Sequence, residues 1–380
     1  MKSLWREAEA KKMVGAYARQ GVNKDLALRV YTTRLLGGDP RLVLHGGGNT
    51  SVKTRMKDVS GKTIDVLCVK GSGWDMGAIE PRGLPALRID ALQALRPLKA
   101  LSDEDMVDAQ RGALLDSTSP NPSVETLLHT FLPHKFIDHT HSTAVLAVTD
   151  QPDGDKIAAD IYGDRAALVP YVMPGFDLAI KAAEVYEANR DVEGLILLKH
   201  GIFSFGETAR EAYERMISLV TVAEDRLKTG RKKVFVSAAL PKKIASVADV
   251  APILRGLIAD NDGASEPKRM VLDFRTNKAI RTYVNGKEAA RYSQIGVVTP
   301  DHNIRTKNWP LLVAAPDAGD VPDFIKSTKK ACDKFAATSH KYFARHNGKR
   351  DAVKVELDTT PRVILVPVLG LFGVGKSASD

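Results

Sequence analysis

Cysteine is nearly absent from this sequence: Cys68 and Cys332 are the two examples in 380 residues. Two thiols build no disulfide framework, so a reducing cytoplasm is the expected setting, and each cysteine is expected to pack as a small hydrophobe. Long hydrophobic runs are missing too. No stretch approaches the roughly 20 apolar residues of a spanning helix, so no membrane is expected as a partner. The N-terminal MKSLWREAEAKKMVGAY is charged and helical in pattern and has no apolar signal region. The net charge is +9, yet the basic residues are spread along the chain, and the densest clusters, GRKK and STKK, are short and lack interleaved aromatics. That pattern reads as a solvated surface and not as a nucleic-acid footprint. A mild positive field suits a small anionic substrate such as a sugar phosphate. The rest of the composition, 44% hydrophobic and 27% charged, is that of a soluble globular chain with length for two domains.

Apolar spacing and turn residues divide the chain. Residues 4 to 37 read as two helices ending at Gly37-Gly38, and the turn HGGGNTS follows. TIDVLCVKGSGW reads as a strand entering a second glycine turn, and LPALRIDALQALRPL and SDEDMVDAQRGALL carry helical spacing. SPNPSVETLLHTFL opens a helix that Ser123 is expected to cap. KFIDHTHS, AALVPYVMPG, GLILLKH and GIFSFG read as strands, and TAREAYERMISLVTVAEDRLKTG as a long amphipathic helix. These elements make a mixed α/β domain over 1–230. A linker is expected over 231–245. A smaller α/β unit over 246–380 is expected to hold a helix, a strand pair around MVLDFRTNKAIRTYVNG, a strand in SQIGVVTPDH, a helix over about 322–345 and a final strand.

Histidine is sparse, nine in all, and two stand together in HTH as His139 and His141. Side chains two apart on a strand share a face, so two imidazoles there are half of a metal site. His200 ends the strand GLILLKH, and a set of three histidines leaves a tetrahedral Zn²⁺ one open position. Glu125 is a candidate fourth, displaceable ligand and base. His129, one helical turn beyond Glu125, reads as structural. Spacing alone leaves this set open between a metal site and ordinary strand packing. The turns GGGNTS and KGSG offer backbone amides and small side chains that suit a phosphate. Gly48, Asn49, Thr50, Ser72 and Gly73 are the candidates there, with Ser123 at a helix N-terminus. Taken singly, each reads more readily as a tight turn.

HGGGNTSVK, VKGSGWDMGAI, SPNPSVETLLH, FIDHTHSTAV and GLILLKHGIFSFGETAREAYE, in that order, resemble the class II aldolase/adducin family. The likeness is greatest to the aldolase part of the bifunctional rhamnulose-1-phosphate aldolase/short-chain dehydrogenase proteins. It implies a three-layer α/β/α domain with a mixed, largely antiparallel sheet over roughly residues 1 to 230. It implies His139, His141 and His200 as zinc ligands and Glu125 as the catalytic carboxylate. Phosphate would be held at Gly48, Asn49, Ser72, Gly73 and Ser123. The implied activity is zinc-dependent cleavage of a ketose 1-phosphate into dihydroxyacetone phosphate and an aldehyde, by a cytoplasmic homo-oligomer, a tetramer. An epimerase or dehydratase would reuse the same residues. A non-catalytic adducin-like binding module would not need them. Val124 stands where some members have a second hydroxyl, and the catalytic tyrosines found late in some family chains have no counterpart that can be placed.

The last motif, GLFGVGKS at 370–377, fits the phosphate loop of nucleotide-hydrolysing enzymes. Such a loop needs a helix behind its Lys-Ser, and three residues remain. HGIFSFGETARE at 200–211 aligns with LGLFGVGKSASD at 369–380 without a gap, with Leu369 in place of His200. The chain end therefore reads as a degenerate internal duplicate: a strand and turn that bind no ATP. The bifunctional proteins run on from here into a dehydrogenase domain, so this chain is expected to be a truncated or split counterpart that performs no hydride transfer.

Overall fold

A computed structural model describes residues 1–230, 236–259, 268–348, 354–378 and 380. Of the linker expected over 231–245, residues 231–235 lie outside the described ones. The chain forms two units. One comprises Met1–Gly230 together with the short segment Val298–Asp301; the other comprises Arg231–Val297 and His302–Asp380.

In the first unit seven strands form one sheet: β1 (Asn49–Lys57), β2 (Thr63–Val69), β3 (Ala86–Arg88), β4 (Phe136–Thr140), β5 (Ala166–Val169), β6 (Gly194–Leu197) and β7 (Gly201–Gly206). Their order is β3-β2-β1-β4-β7-β6-β5. Every pairing is antiparallel except β5 with β6. The central strands β4, β7 and β6 are buried on both faces, and alternation sends their side chains into two separate cores. Leu195, Leu197 and Phe203 pack with the helices Thr126–Phe131 and Phe176–Ala188. Ile196 and Ile202, one residue out of step, pack with Thr143–Thr149, Gly154–Tyr162 and Ala209–Lys228. The result is the three-layer α/β/α arrangement with a mixed, largely antiparallel sheet that the sequence implies.

Two local readings change in this unit. The helix expected in LPALRIDALQALRPL is broken into β3 and the short helix Ile89–Gln93, because pairing of Ala86–Arg88 with β2 overrides helical spacing. Ser123 is not a helix cap. The helix begins at Thr126, and the Ser123 hydroxyl accepts the amide of Glu125 at 3.3 Å.

The second unit carries four strands, β8 (Val271–Arg275), β9 (Leu311–Leu312), β10 (Val363–Val366) and β11 (Gly370–Gly375), ordered β8-β11-β10-β9. The strand pair expected around MVLDFRTNKAIRTYVNG is one strand followed by a helix, Lys278–Val284. Asn277 starts that helix by accepting the Ile280 amide at 2.9 Å. SQIGVVTPDH forms no strand. Its Ile295 is 76% exposed, so alternation there gains no burial. The order and directions of β8-β11-β10-β9 repeat those of β4-β7-β6-β5. The hairpins β6–β7 and β10–β11 have the same register at a constant offset of 169 residues, Gly194↔Ser204 matching Val363↔Gly373. The turn residues Lys199 and Val368, equivalent at that offset, both have left-handed backbone, φ 60 and 72. No described helix is long and apolar enough to cross a membrane.

Candidate active site

The β1–β4–β7 crossing builds the site. Antiparallel pairing sets Asn49 opposite His139 and His139 opposite Phe203, whose ring stacks on the imidazole at 4.2 Å. His141 lies just beyond the end of β4, and His200 follows Lys199 in the turn that leads into β7. All three histidines are buried, and their candidate ligand atoms lie within 4.8 Å of one another. Gly201 lets the turn close over them, since a Cβ there would stand 2.5 Å from the Thr140 carbonyl.

The hydrogen bonds behind the rings decide which nitrogens face inward. His139 Nδ1 donates to the Ile202 carbonyl at 3.1 Å, and His141 Nδ1 bonds Asp301 Oδ1 at 2.6 Å. With its proton placed there, His139 turns its Nε2 lone pair inward, 3.0 Å from His141 Nε2. The Glu125 carboxylate completes the ring of acceptors, with Oε2 3.3 Å from His139 Nε2 and Oε1 3.3 Å from His200 Nε2. Among the described residues Glu125 Oε1 has no hydrogen-bond donor. Burial, reinforced by the neighbouring rings, holds His139 well below the usual histidine value. Burial lowers His200 as well, so both are neutral imidazoles. Converging lone pairs around a buried carboxylate repel one another unless a cation lies between them, so this donor set fits a divalent metal.

Behind the carboxylate runs a polar chain. Asn49 Nδ2 donates to Glu125 Oε2 at 2.6 Å and to Ser123 Oγ at 3.0 Å. Asn49 Oδ1 is therefore the acceptor for His129 Nε2 at 2.5 Å, and the Ser51 hydroxyl donates to His129 Nδ1 at 2.8 Å. His129, read from sequence as structural, thus fixes the amide that holds Glu125. The helix carrying it is too short to reveal a face by periodicity.

The two glycine turns and the Ser123 segment named from sequence lie side by side. Lys70 N–H donates to the Thr50 carbonyl, Ser72 N–H to that of Asn121, and Ser123 N–H to that of Lys70. Gly48 and Gly73 have φ of 57 and 78, conformations that favour glycine. Between the turns lies Lys70, 2% exposed, whose ammonium donates to the Gly46 carbonyl at 3.2 Å. It opens the KGSG turn, from which the sequence pointed only to Ser72 and Gly73. Thr50 is different: its hydroxyl is buried and bonds that of Thr33 at 2.7 Å, so its side chain serves the sheet–helix contact. Val124, between Ser123 and Glu125, is 46% exposed.

Set against known proteins, residues 28–227 match the family described as Class II Aldolase and Adducin N-terminal domain, and residues 245–380 the family described as Aldolase class II, second domain. The chain is similar to the uncharacterized oxidoreductase YuxG of Bacillus subtilis, with 36% identity over 356 residues, 92% of this chain and 50% of that protein. It thus spans about half the length of that relative. The N-terminal class II aldolase domain of a conserved protein from Thermoplasma acidophilum is 39% identical. It superimposes with a TM-score of 0.54 over 60% of this chain and 99% of its own. A sugar-phosphate aldolase from Thermotoga maritima is 18% identical, with a TM-score of 0.41 over 54% of this chain and 97% of its own.

Proposed function

This chain belongs to the class II aldolase and adducin family, and from that premise we propose that it is a zinc-dependent lyase. It cleaves a ketose 1-phosphate, rhamnulose-1-phosphate-like, into dihydroxyacetone phosphate and an aldehyde. The observation that carries the reading is the 3.0 Å approach of the Nε2 atoms of His139 and His141 beside Oε1 of Glu125, which has no hydrogen-bond donor among the described residues. Three imidazole nitrogens and one displaceable carboxylate are the donor set of a catalytic zinc. When bound, the ion supplies a Lewis acid that stabilises negative charge developing on substrate oxygens as the carbon–carbon bond breaks.

The remaining work belongs to the protein. Glu125 takes and returns a proton at the reacting carbon through Oε1, while Asn49 holds Oε2 in place. The phosphate is held by the amides of Gly48 and Gly73 and the hydroxyls of Ser72 and Ser123, with Lys70 adding charge and Asn49 serving Glu125. Binding energy from this remote group positions the carbons that react. The active species is a homo-tetramer of cytoplasmic character, with a small phosphorylated sugar as substrate and neither nucleic acid nor membrane as partner.

The purified chain incubated with a panel of ketose 1-phosphates and pentulose phosphates tests this, with triose phosphate followed by a coupled dehydrogenase. Release of dihydroxyacetone phosphate that stops on chelation and returns with zinc is expected. Epimerised or dehydrated sugar without triose phosphate would replace cleavage by another reaction on the same scaffold. Substrate binding without turnover would favour a binding module. A monomer by light scattering would refute the assembly.

A further inference from the structure

We infer that Asp301 is a positioning residue of the metal site, holding His141 with its proton on Nδ1 and its Nε2 lone pair turned toward the other ligands. The inference rests on the metal-site reading above. It concerns a residue outside the 28–227 stretch that matches the aldolase family, 160 positions from His141 in the chain.

His139 and His141 differ in what fixes their rings. His139 lies inside β4, and the sheet itself presents the Ile202 carbonyl to its Nδ1. His141 lies past the end of that strand, where no ladder partner is available to its ring. Asp301 supplies the missing acceptor. Its Oδ1 is 2.6 Å from His141 Nδ1, a short hydrogen bond to a carboxylate.

The carboxylate is itself held. It is 1% exposed, it belongs to the segment Val298–Asp301 that packs in the first unit, and its Oδ2 accepts the Leu44 amide at 2.9 Å. The glycine turn is shaped around it: a Cβ on Gly47 would stand 1.9 Å from Asp301 Oδ1. Gly47 is therefore needed for the seat of this side chain. Asp301 Oδ1 faces the far nitrogen of His141, so the aspartate is not a ligand and stands outside the set of converging atoms. A carboxylate behind a metal-bound histidine fixes its tautomer and raises its basicity, and losing such a partner typically weakens metal binding by roughly 10- to 100-fold.

The test is metal affinity, measured on the full chain by competition with a chromogenic zinc chelator. D301N keeps the shape but has one acceptor oxygen, which cannot serve both Leu44 N–H and His141 Nδ1–H. We expect zinc affinity to fall by roughly 10- to 100-fold with the metal-free protein still folded by circular dichroism, and the Co²⁺ absorption spectrum to shift because one ligand is reoriented. D301E should recover part of the affinity. D301N affinity within about two-fold of the parent, or an unchanged cobalt spectrum, overturns the assignment. Should D301N fail to fold, G47A, which keeps the carboxylate but obstructs its seat, is expected to weaken zinc binding, and parental affinity there overturns the inference equally. H141A separates this from the underlying reading. Parental zinc affinity in H141A sinks the metal site as a whole, whereas loss in H141A with retention in D301N sinks the role of Asp301 alone.

Discussion

At the scale of single residues, the site depends on protons being in particular places. Glu125 has one oxygen fastened by Asn49 and one without a donor among the described residues, the arrangement of a group that stays in position while exchanging a proton. Glu125→Gln should therefore remain folded by circular dichroism and retain substrate, while turnover falls by about two orders of magnitude or more. Undiminished turnover would remove Glu125 from the mechanism. His129 is held well below the ordinary histidine value, chiefly by burial. The unfolded chain therefore takes up a proton at this residue that the folded chain refuses. Stability at His129 is full above about pH 6.5 and declines as pH falls below it, by at most about 1.4 kcal/mol per unit. His129→Leu should flatten that dependence in urea unfolding between pH 7 and 5. It should also lower stability at pH 7 by about 1–3 kcal/mol, because Asn49 Oδ1 and Ser51 lose their buried partner. An unchanged pH slope would show that His129 does not carry it. The pair His139 and His141 was legible in the sequence because two-residue spacing is local. His129, Lys70 and Asp301 were not, because their roles come from strand register and from packing of distant segments.

At the scale of elements, the strands and long helices of the first unit were legible wherever burial on one or both faces left a periodic trace. β4 and the helix Ala209–Lys228 are examples. SQIGVVTPDH misled because its apolar alternation has no sheet to join, and that stretch turns out to deliver Asp301. GLFGVGKS is resolved by pairing. Gly370–Gly375 runs as β11 between β8 and β10, and the amides of Lys376 and Ser377 donate to Asp380 Oδ2 at 2.9 and 3.0 Å. The motif's amides are thus already taken, and no described helix follows them to add its dipole. Lys376→Ala should leave triose phosphate release unchanged, and calorimetry with ATP and Mg²⁺ should show no heat of binding. Micromolar nucleotide binding that Lys376→Ala abolishes would reinstate a phosphate loop.

At the scale of the whole chain, the two sheets raise the question of whether there are two metal sites. The order β8-β11-β10-β9 matches β4-β7-β6-β5 in every direction, so the positions of the three histidines can be transferred by register. His139 faces Phe203 across β4–β7; its counterpart facing Phe372 across β8–β11 is Phe274. His141, two residues on, corresponds to Thr276, whose hydroxyl donates to the Leu369 carbonyl at 2.8 Å. His200 corresponds to Leu369 at the offset that relates the hairpins. Where the first unit has three imidazoles, the second has two apolar side chains and a hydroxyl already engaged, and Phe274 and Leu369 pack against its core. Phe274 lies against Phe372 with ring centroids 5.1 Å apart. The backbone plan recurs without its ligands, which suits a unit that serves packing or recognition. The full chain should then bind one zinc, not two, by elemental analysis after dialysis, and His141→Ala should bring that value close to zero. Two equivalents per chain, or one persisting in His141→Ala, would mean that the second sheet, or another part of the chain, holds a metal by residues this correspondence does not identify.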